Sequence, residues 1–172
     1  MNLTLRREKA SDFHGIYLVH QAAFRQEAEG RLVEKLRKNK AYIPELSLVA
    51  IQDNLVVGHI IFSKIKISGG QKDYESLTLA PLGVLTEFQN KGIGSLLVRE
   101  GLKKARELGY RSVIVLGHKN FYPRFGFVPA SRWGIESPYE VPDEAFMAIE
   151  LVPGGLDGIS GKVKYDEAFE EL

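Results

Sequence analysis

A β-patterned run over residues 74–85 leads through a short turn to glycines at 92 and 94, and from there into the strongest helical pattern in the chain. Ile93, Leu97, Ala105 and Leu108 recur at helical spacing over residues 92–108 and define an inward face, with Gly109 as the stop. Residues 112–116, a short apolar run of the kind buried on both faces of a sheet, follow directly. Strand, helix and strand in this order predict a parallel crossover. At the helix entrance the first amides lack internal acceptors and the helix dipole adds partial positive charge. Gly92 and Gly94 carry no Cβ, so backbone N–H groups there can close around a diphosphate.

The flanking segments fill in the fold. Residues 3–6 predict a short first strand, and Ser11 is placed to cap a helix whose face is Phe13, Ile16, Tyr17, His20 and Phe24. A second helix begins near Glu29 with Leu32, Val33 and Leu36 inward, and Pro44 interrupts the pattern. From Leu46 the period changes to two. Asp53-Asn54 turns the chain into a partner strand over residues 55–67, and Gly69-Gly70 makes the next reversal. Further strands are expected near Phe127 and over residues 146–151. The predicted order is β-α-α-β-β-β-α-β with short strands after it. This is an α/β (α+β) fold with a mixed, mostly antiparallel twisted sheet, helices on both faces, and one parallel strand pair. One domain over residues 1–172 is expected, with 152–172 a glycine-rich extension that Tyr165 and Phe169 could anchor.

Composition removes several classes of function. The chain has 172 residues, a size able to bury a core in one domain. With no cysteine there is no disulfide, no thiolate metal site and no cysteine nucleophile. The four histidines have no metal-ligand spacing, so no metal is expected. A formal charge of +1 and the lack of a recognition motif argue against a nucleic-acid or membrane partner. Charges at the N-terminus and the lack of a long apolar run lead to an expected cytoplasmic location. Oligomeric state is open, a homodimer included.

Alone, the glycine pair is also compatible with a plain strand-to-helix turn. It lacks the spacing of a nucleotide P-loop, and Leu97 stands where a dinucleotide loop has its third glycine. The segment Gln89-Asn-Lys-Gly92-Ile-Gly94 resembles the Gln/Arg-x-x-Gly-x-Gly/Ala loop of the GNAT (Gcn5-related N-acetyltransferase) family. A Leu-x-Val strand ending precedes it and a long amphipathic helix follows. Downstream, Asn120-Phe-Tyr-Pro-Arg-Phe-Gly-Phe127 is similar to that family's Tyr-x-x-x-Gly-Phe ending, in a version close to its YhbS-like bacterial subgroup. The resemblance spans about residues 3–151 and implies the GNAT fold, in which the parallel strands near Leu82 and Val115 splay apart.

The resemblance implies an acetyl-CoA-dependent N-acetyltransferase acting directly on an amine, with a small molecule favoured over a protein as acceptor. It implies that Val84 and Leu85 meet the pantetheine arm, while Gln89, Asn90, Lys91, Gly92, Ile93, Gly94 and Ser95 wrap the diphosphate. A backbone N–H of residues 83–85 is the expected oxyanion donor. Tyr122 stands where the family's thiolate-protonating tyrosine lies, and is otherwise one more packed aromatic. Glu75, His118 or water is left as the base. The basic cluster Lys35, Arg37, Lys38 and Lys40 is either a solvated face or an attractor for an acidic substrate or the cofactor's 3′-phosphate. A non-catalytic acyl-CoA-binding or regulatory module is the competing reading.

Overall fold

The computed structural model describes residues 2–171; Met1 and Leu172, the ends of the expected domain, lie outside the described residues. The strands are β1 (Leu3–Arg7), β2 (Tyr42–Gln52), β3 (Leu55–Ser68), β4 (Asp73–Val84), β5 (Ser112–Leu116), β6 (Val128–Pro129), β7 (Ile135–Glu136), β8 (Phe146–Glu150) and β9 (Gly161–Lys164). The helices are α1 (Phe13–Phe24), α2 (Ala28–Leu36) and α3 (Ile93–Glu107). The strands form one sheet in the order β1-β2-β3-β4-β5-β8-β6, and β9 pairs with β3 and β7. Pairing is antiparallel except between β4 and β5 and in the short β7–β9 pair.

Strand alternation assigns the two faces. On β2, Leu48 and Ala50 join α3 residues Ile93, Leu97, Val98, Leu102 and Ala105 in one core, whereas Val49 joins Ile16, Leu32, Val33 and Leu36 of α1 and α2 in another. Helices therefore cover both faces, as the periodicity predicts. A third cluster of Ile65, Ile67, Ile114, Phe146 and Val163 closes the far end of the sheet.

Several local expectations need correction. Ser11 does not cap α1; it lies in a 3-10 turn over Ala10–Asp12. The Asp12 carboxylate takes the Lys9 N–H at 2.7 Å and pairs with the Arg6 guanidinium at 2.7 Å. Asp won because a carboxylate both accepts from the turn and pairs with a neighbouring cation. On α1 the inward residues are Ile16, Val19 and His20, while Phe13 and Phe24 are exposed. Leu108 and Leu116 are exposed as well. Pro44 lies inside β2, at a register shift between Tyr42 and Ser47 where no ladder donor is required of it. Arg37 leaves the basic cluster, turning inward to the Glu8 carboxylate at 3.0 and 3.1 Å and stacking over the Phe13 ring.

The tail carries more structure than its glycines suggest. β9 takes over as the neighbour of β3 beyond the reach of β2, pairing Lys66 with Lys164 and Ser68 with Lys162. Ala168 and Phe169 are buried against the α1–α2 core.

Candidate active site

The fork between β4 and β5 positions the site. Their parallel pairing is limited to Leu77 with Val113 and Thr78 with Ile114, beyond which the strands part. Just past the fork β4 carries a bulge: Ile60 pairs with Leu82 and Phe62 with Leu79, so one residue of β3 faces two of β4. The bulge inverts the alternation, and Leu82 and Val84 point to the same face as Leu77 and Leu79.

On that face a cleft of about 820 Å³ runs from the end of β4 to the start of α3. Leu82, Val84 and Phe88 line one side, and Gln89, Asn90, Gly92, Ile93, Gly94 and Ser95 form its end. Gly92 is the N-cap with φ +85, a left-handed conformation natural to glycine. Leu96 is the first residue to bond back along the turn, to the Gly92 carbonyl at 3.0 Å, so the amides of Ile93, Gly94 and Ser95 precede the helical ladder. A Cβ on Gly94 would meet only Phe121 at 3.8 Å and Val84 at 3.9 Å, so this end of the cleft is open beside the free amides.

Two expected contributors do not line the cleft. Leu85 is not in the cleft wall, and its N–H is committed to the Val57 carbonyl at 2.8 Å, which removes it as an oxyanion donor. Lys91 also stands outside the wall, its ammonium 5.4 Å from the Phe88 ring centre. Gln89 lines the cleft but spends an amide hydrogen on the Val84 carbonyl at 2.9 Å, tying the loop to the strand end.

The opposite wall is His118, Asn120, Phe121 and Arg124. Of these only His118 was singled out in the sequence. Arg124 lies 4.9 Å from the Phe121 ring centre and bonds the Asn120 carbonyl at 3.2 Å, placing a fixed cation across from the α3 N-terminus. Arginine was legible inside the Tyr-Pro-Arg-Phe motif, but its direction depends on the 3-10 turn Tyr122–Phe125. Among the described residues no acidic side chain lines the cleft. Free amides, a helix N-terminus and a guanidinium suit a dianionic diphosphate.

Tyr122 sits beneath this wall. Its ring packs edge-on to Phe121 at 5.0 Å and Phe127 at 5.6 Å, and a Cβ on Gly117 would collide with it. Burial alone pushes the phenol up to about 12. Glu75 lies on the closed side of the fork, in a groove with Lys40, Lys64 and Lys164, and the structure does not bring it to the cleft. Lys38 lines a separate groove with Glu167 and Glu170. Among the described residues no cluster could hold a metal ion, and no helix is long and apolar enough to cross a membrane.

Comparison with known proteins agrees with this geometry. The model of the acetyltransferase (GNAT) family matches residues 13–127. The chain is 38% identical to the uncharacterized N-acetyltransferase YjhQ of Escherichia coli K12, over 78% of this chain and 75% of that protein. It is 33% identical to the uncharacterized N-acetyltransferase YhbS of the same organism, over 99% and 100% of the two chains. The crystal structure of E. coli YhbS in complex with CoA superposes with a TM-score of 0.92 at 32% identity, covering 99% of this chain and 93% of that one. A GNAT family acetyltransferase from Brucella melitensis in complex with acetyl-CoA superposes with a TM-score of 0.79 at 35% identity, covering 98% of each. Glycine loop, forked strands and overall match lead to one assignment: the chain belongs to the GNAT family of N-acetyltransferases.

Proposed function

We propose that the protein transfers the acetyl group of acetyl-CoA directly to the amine of a small-molecule acceptor. The observation that carries this reading is the cleft at the α3 N-terminus, whose other end opens on the fork between β4 and β5. The amides of residues 93–95 and Arg124 hold the diphosphate, and Leu82 and Val84 bed the pantetheine arm. Gln89 keeps the loop in register with the strand through its bond to Val84. A cytoplasmic location, where acetyl-CoA is supplied, goes with this reading.

Tyr122 serves the departing sulfur. A phenol near 12 keeps its proton at neutral pH and so acts as a donor throughout. A thiol titrates near about 8.5, so outright transfer from Tyr122 to the thiolate runs uphill by roughly three to four pKa units. The role that fits is a hydrogen bond that strengthens as charge builds on sulfur, with the proton finally drawn from solvent. Proton removal from the amine falls to water or to His118, which lines the cleft.

The test is thiol release from acetyl-CoA in the presence of a broad set of amines, alongside the thermal shift produced by CoA. Release that requires an amine, and a shift that NAD and ATP do not reproduce, is the expected result. Saturable NAD binding with no response to acetyl-CoA overturns the assignment. A CoA shift without thiol release to any acceptor moves the protein to the class of acyl-CoA-binding modules.

A further inference from the structure

A second cavity, of about 320 Å³, approaches the same fork from the face opposite α3. Thr78 and Ala80 of β4 and Leu116 of β5 form one side of it. Thr78 and Ile114 are the last paired residues of the two strands, so these side chains stand where the strands separate. Leu77 and Leu79 belong to the α3 core, and Thr78 and Ala80 therefore point the other way. The coenzyme cleft and this cavity share no lining residue; Leu82 of the cleft and Ala80 of the cavity both lie on β4 beyond its last pair with β5.

The facing wall is Tyr139, Tyr165 and Phe169. Tyr139 stacks on Tyr165 at 6.0 Å with 18° between the planes, and Tyr165 contacts Phe169 at 5.2 Å. Leu116 is 43% exposed and Tyr139 54%. Among the described residues no aspartate, glutamate, lysine or arginine is in the wall.

We propose that the acceptor is an arylalkylamine: its ring lies against Tyr139, Tyr165 and Phe169, and its short arm carries the amine to the fork. The inference rests on the acetyltransferase reading above. Aromatic walls reward a flat apolar group by stacking and accept an ammonium over a ring face. A polyamine or amino sugar brings several charges or hydroxyls, for which the described wall offers the hydroxyls of Thr78, Tyr139 and Tyr165 and no charged partner. The volume lies at the lower end of the range for ligand pockets, about 300–1,000 Å³, which suits one ring system and its arm rather than a peptide chain. In the reaction the amine nitrogen bonds to the acetyl carbon as the C–S bond breaks. The sulfur leaves with the bonding pair and ends as thiol, and the proton lost by nitrogen balances the one it gains.

The full chain is assayed with acetyl-CoA against phenethylamine, tryptamine, spermidine, glucosamine and a lysine-containing peptide, and phenethylamine binding to the CoA-loaded protein is followed by calorimetry. The two aryl amines should exceed the other acceptors in kcat/KM by about tenfold or more. Tyr139→Ala should raise KM for phenethylamine by about tenfold at little cost in kcat, and Tyr139→Phe should restore it. An unchanged CoA thermal shift verifies that the variant is folded. Preference for spermidine, glucosamine or the peptide, or a Tyr139→Ala enzyme with unaltered KM, overturns the inference and leaves the acetyltransferase reading intact. If no amine releases thiol, that reading fails by itself and calorimetry still decides: phenethylamine binding that Tyr139→Ala abolishes supports the cavity's role, and absence of binding overturns it.

Discussion

Nε2 of His20 lies 2.8 Å from Nδ1 of His59, and neither ring is exposed to solvent. The chain continues from His59 Nε2 to the Ser47 hydroxyl at 2.8 Å and to the Glu8 carboxylate at 3.5 Å. Burial works against the Glu8 charge, but hydrogen bonds from His59, Arg37, Tyr42 and Ser47 hold it well below the usual carboxylate range. A carboxylate only accepts, so the His59 proton resides on Nε2 and its Nδ1 must accept from His20 Nε2. That leaves His20 Nδ1 as a lone pair without a partner, pressed against Gly83 of β4, where a Cβ would stand 2.7 Å away.

Both histidines are held neutral in the fold, His20 well below its ordinary value and His59 below it, burial being the main cause. Unfolding lets each take up a proton below about pH 6.5, so stability is fully present above that pH and declines as pH falls. His20→Leu should remove one of the two uptake events. Between pH 6 and 5 the slope of unfolding free energy should then fall by up to about 1.4 kcal/mol per pH unit, read from urea titrations. An unchanged slope would show that His20 is not neutral in the folded protein.

Gly92 and Gly94 should respond differently to substitution. Gly92→Ala has open space but a left-handed backbone, and should cost about 1–2 kcal/mol of stability. Gly94→Leu meets only ordinary contacts near its Cβ, so the fold should hold while the side chain fills the cradle. The thermal shift given by CoA, an effect of mass action, should vanish in Gly94→Leu. A retained shift would move the diphosphate elsewhere.

Tyr122→Phe keeps the ring packed by Phe121 and Phe127 and removes only the hydroxyl. Stability and the CoA shift should be nearly unchanged, while the chemical rate should drop by about 10² to 10³-fold, the loss expected for one positioned donor to developing charge. The rate has to be read in single turnovers, where product release does not mask chemistry. A fully active variant would remove Tyr122 from the mechanism.

Transfer should be direct. With no cysteine and no serine elbow, initial-rate lines for the two substrates should intersect, and mass spectrometry after acetyl-CoA alone should find no acetyl-enzyme that turns over on adding amine. A kinetically competent acetyl-enzyme would exclude direct transfer and leave the family assignment standing.

The helix α3 and its glycine entrance were legible because local spacing determines them: apolar recurrence fixes the face, and Gly92 needs its positive φ. The parallel pairing of β4 and β5 was legible from strand, helix and strand order, and its opening into a fork from the family resemblance. Arg124 was not, because its position follows from a 3-10 turn that pairs it across the cleft with residues some thirty positions earlier in the chain. The histidine pair was missed for a similar reason. His20 read as one member of a helical face, and its partner lies 39 residues away on β3. Which β4 groups turn toward the cleft was not legible, because a one-residue bulge, invisible in the pattern, decides it.

Because β9 is stitched into the sheet and carries Tyr165 and Phe169 to the cavity beside Thr78, Ala80 and Leu116, the aromatic wall of that cavity and the cleft at the α3 N-terminus are encoded in separate stretches of the chain. Exchanging residues 139–171 with those of a relative would retune which amine is accepted while leaving the coenzyme cradle untouched. Under the proposed function, selection can therefore vary the aromatic wall of the cavity without touching the coenzyme cleft.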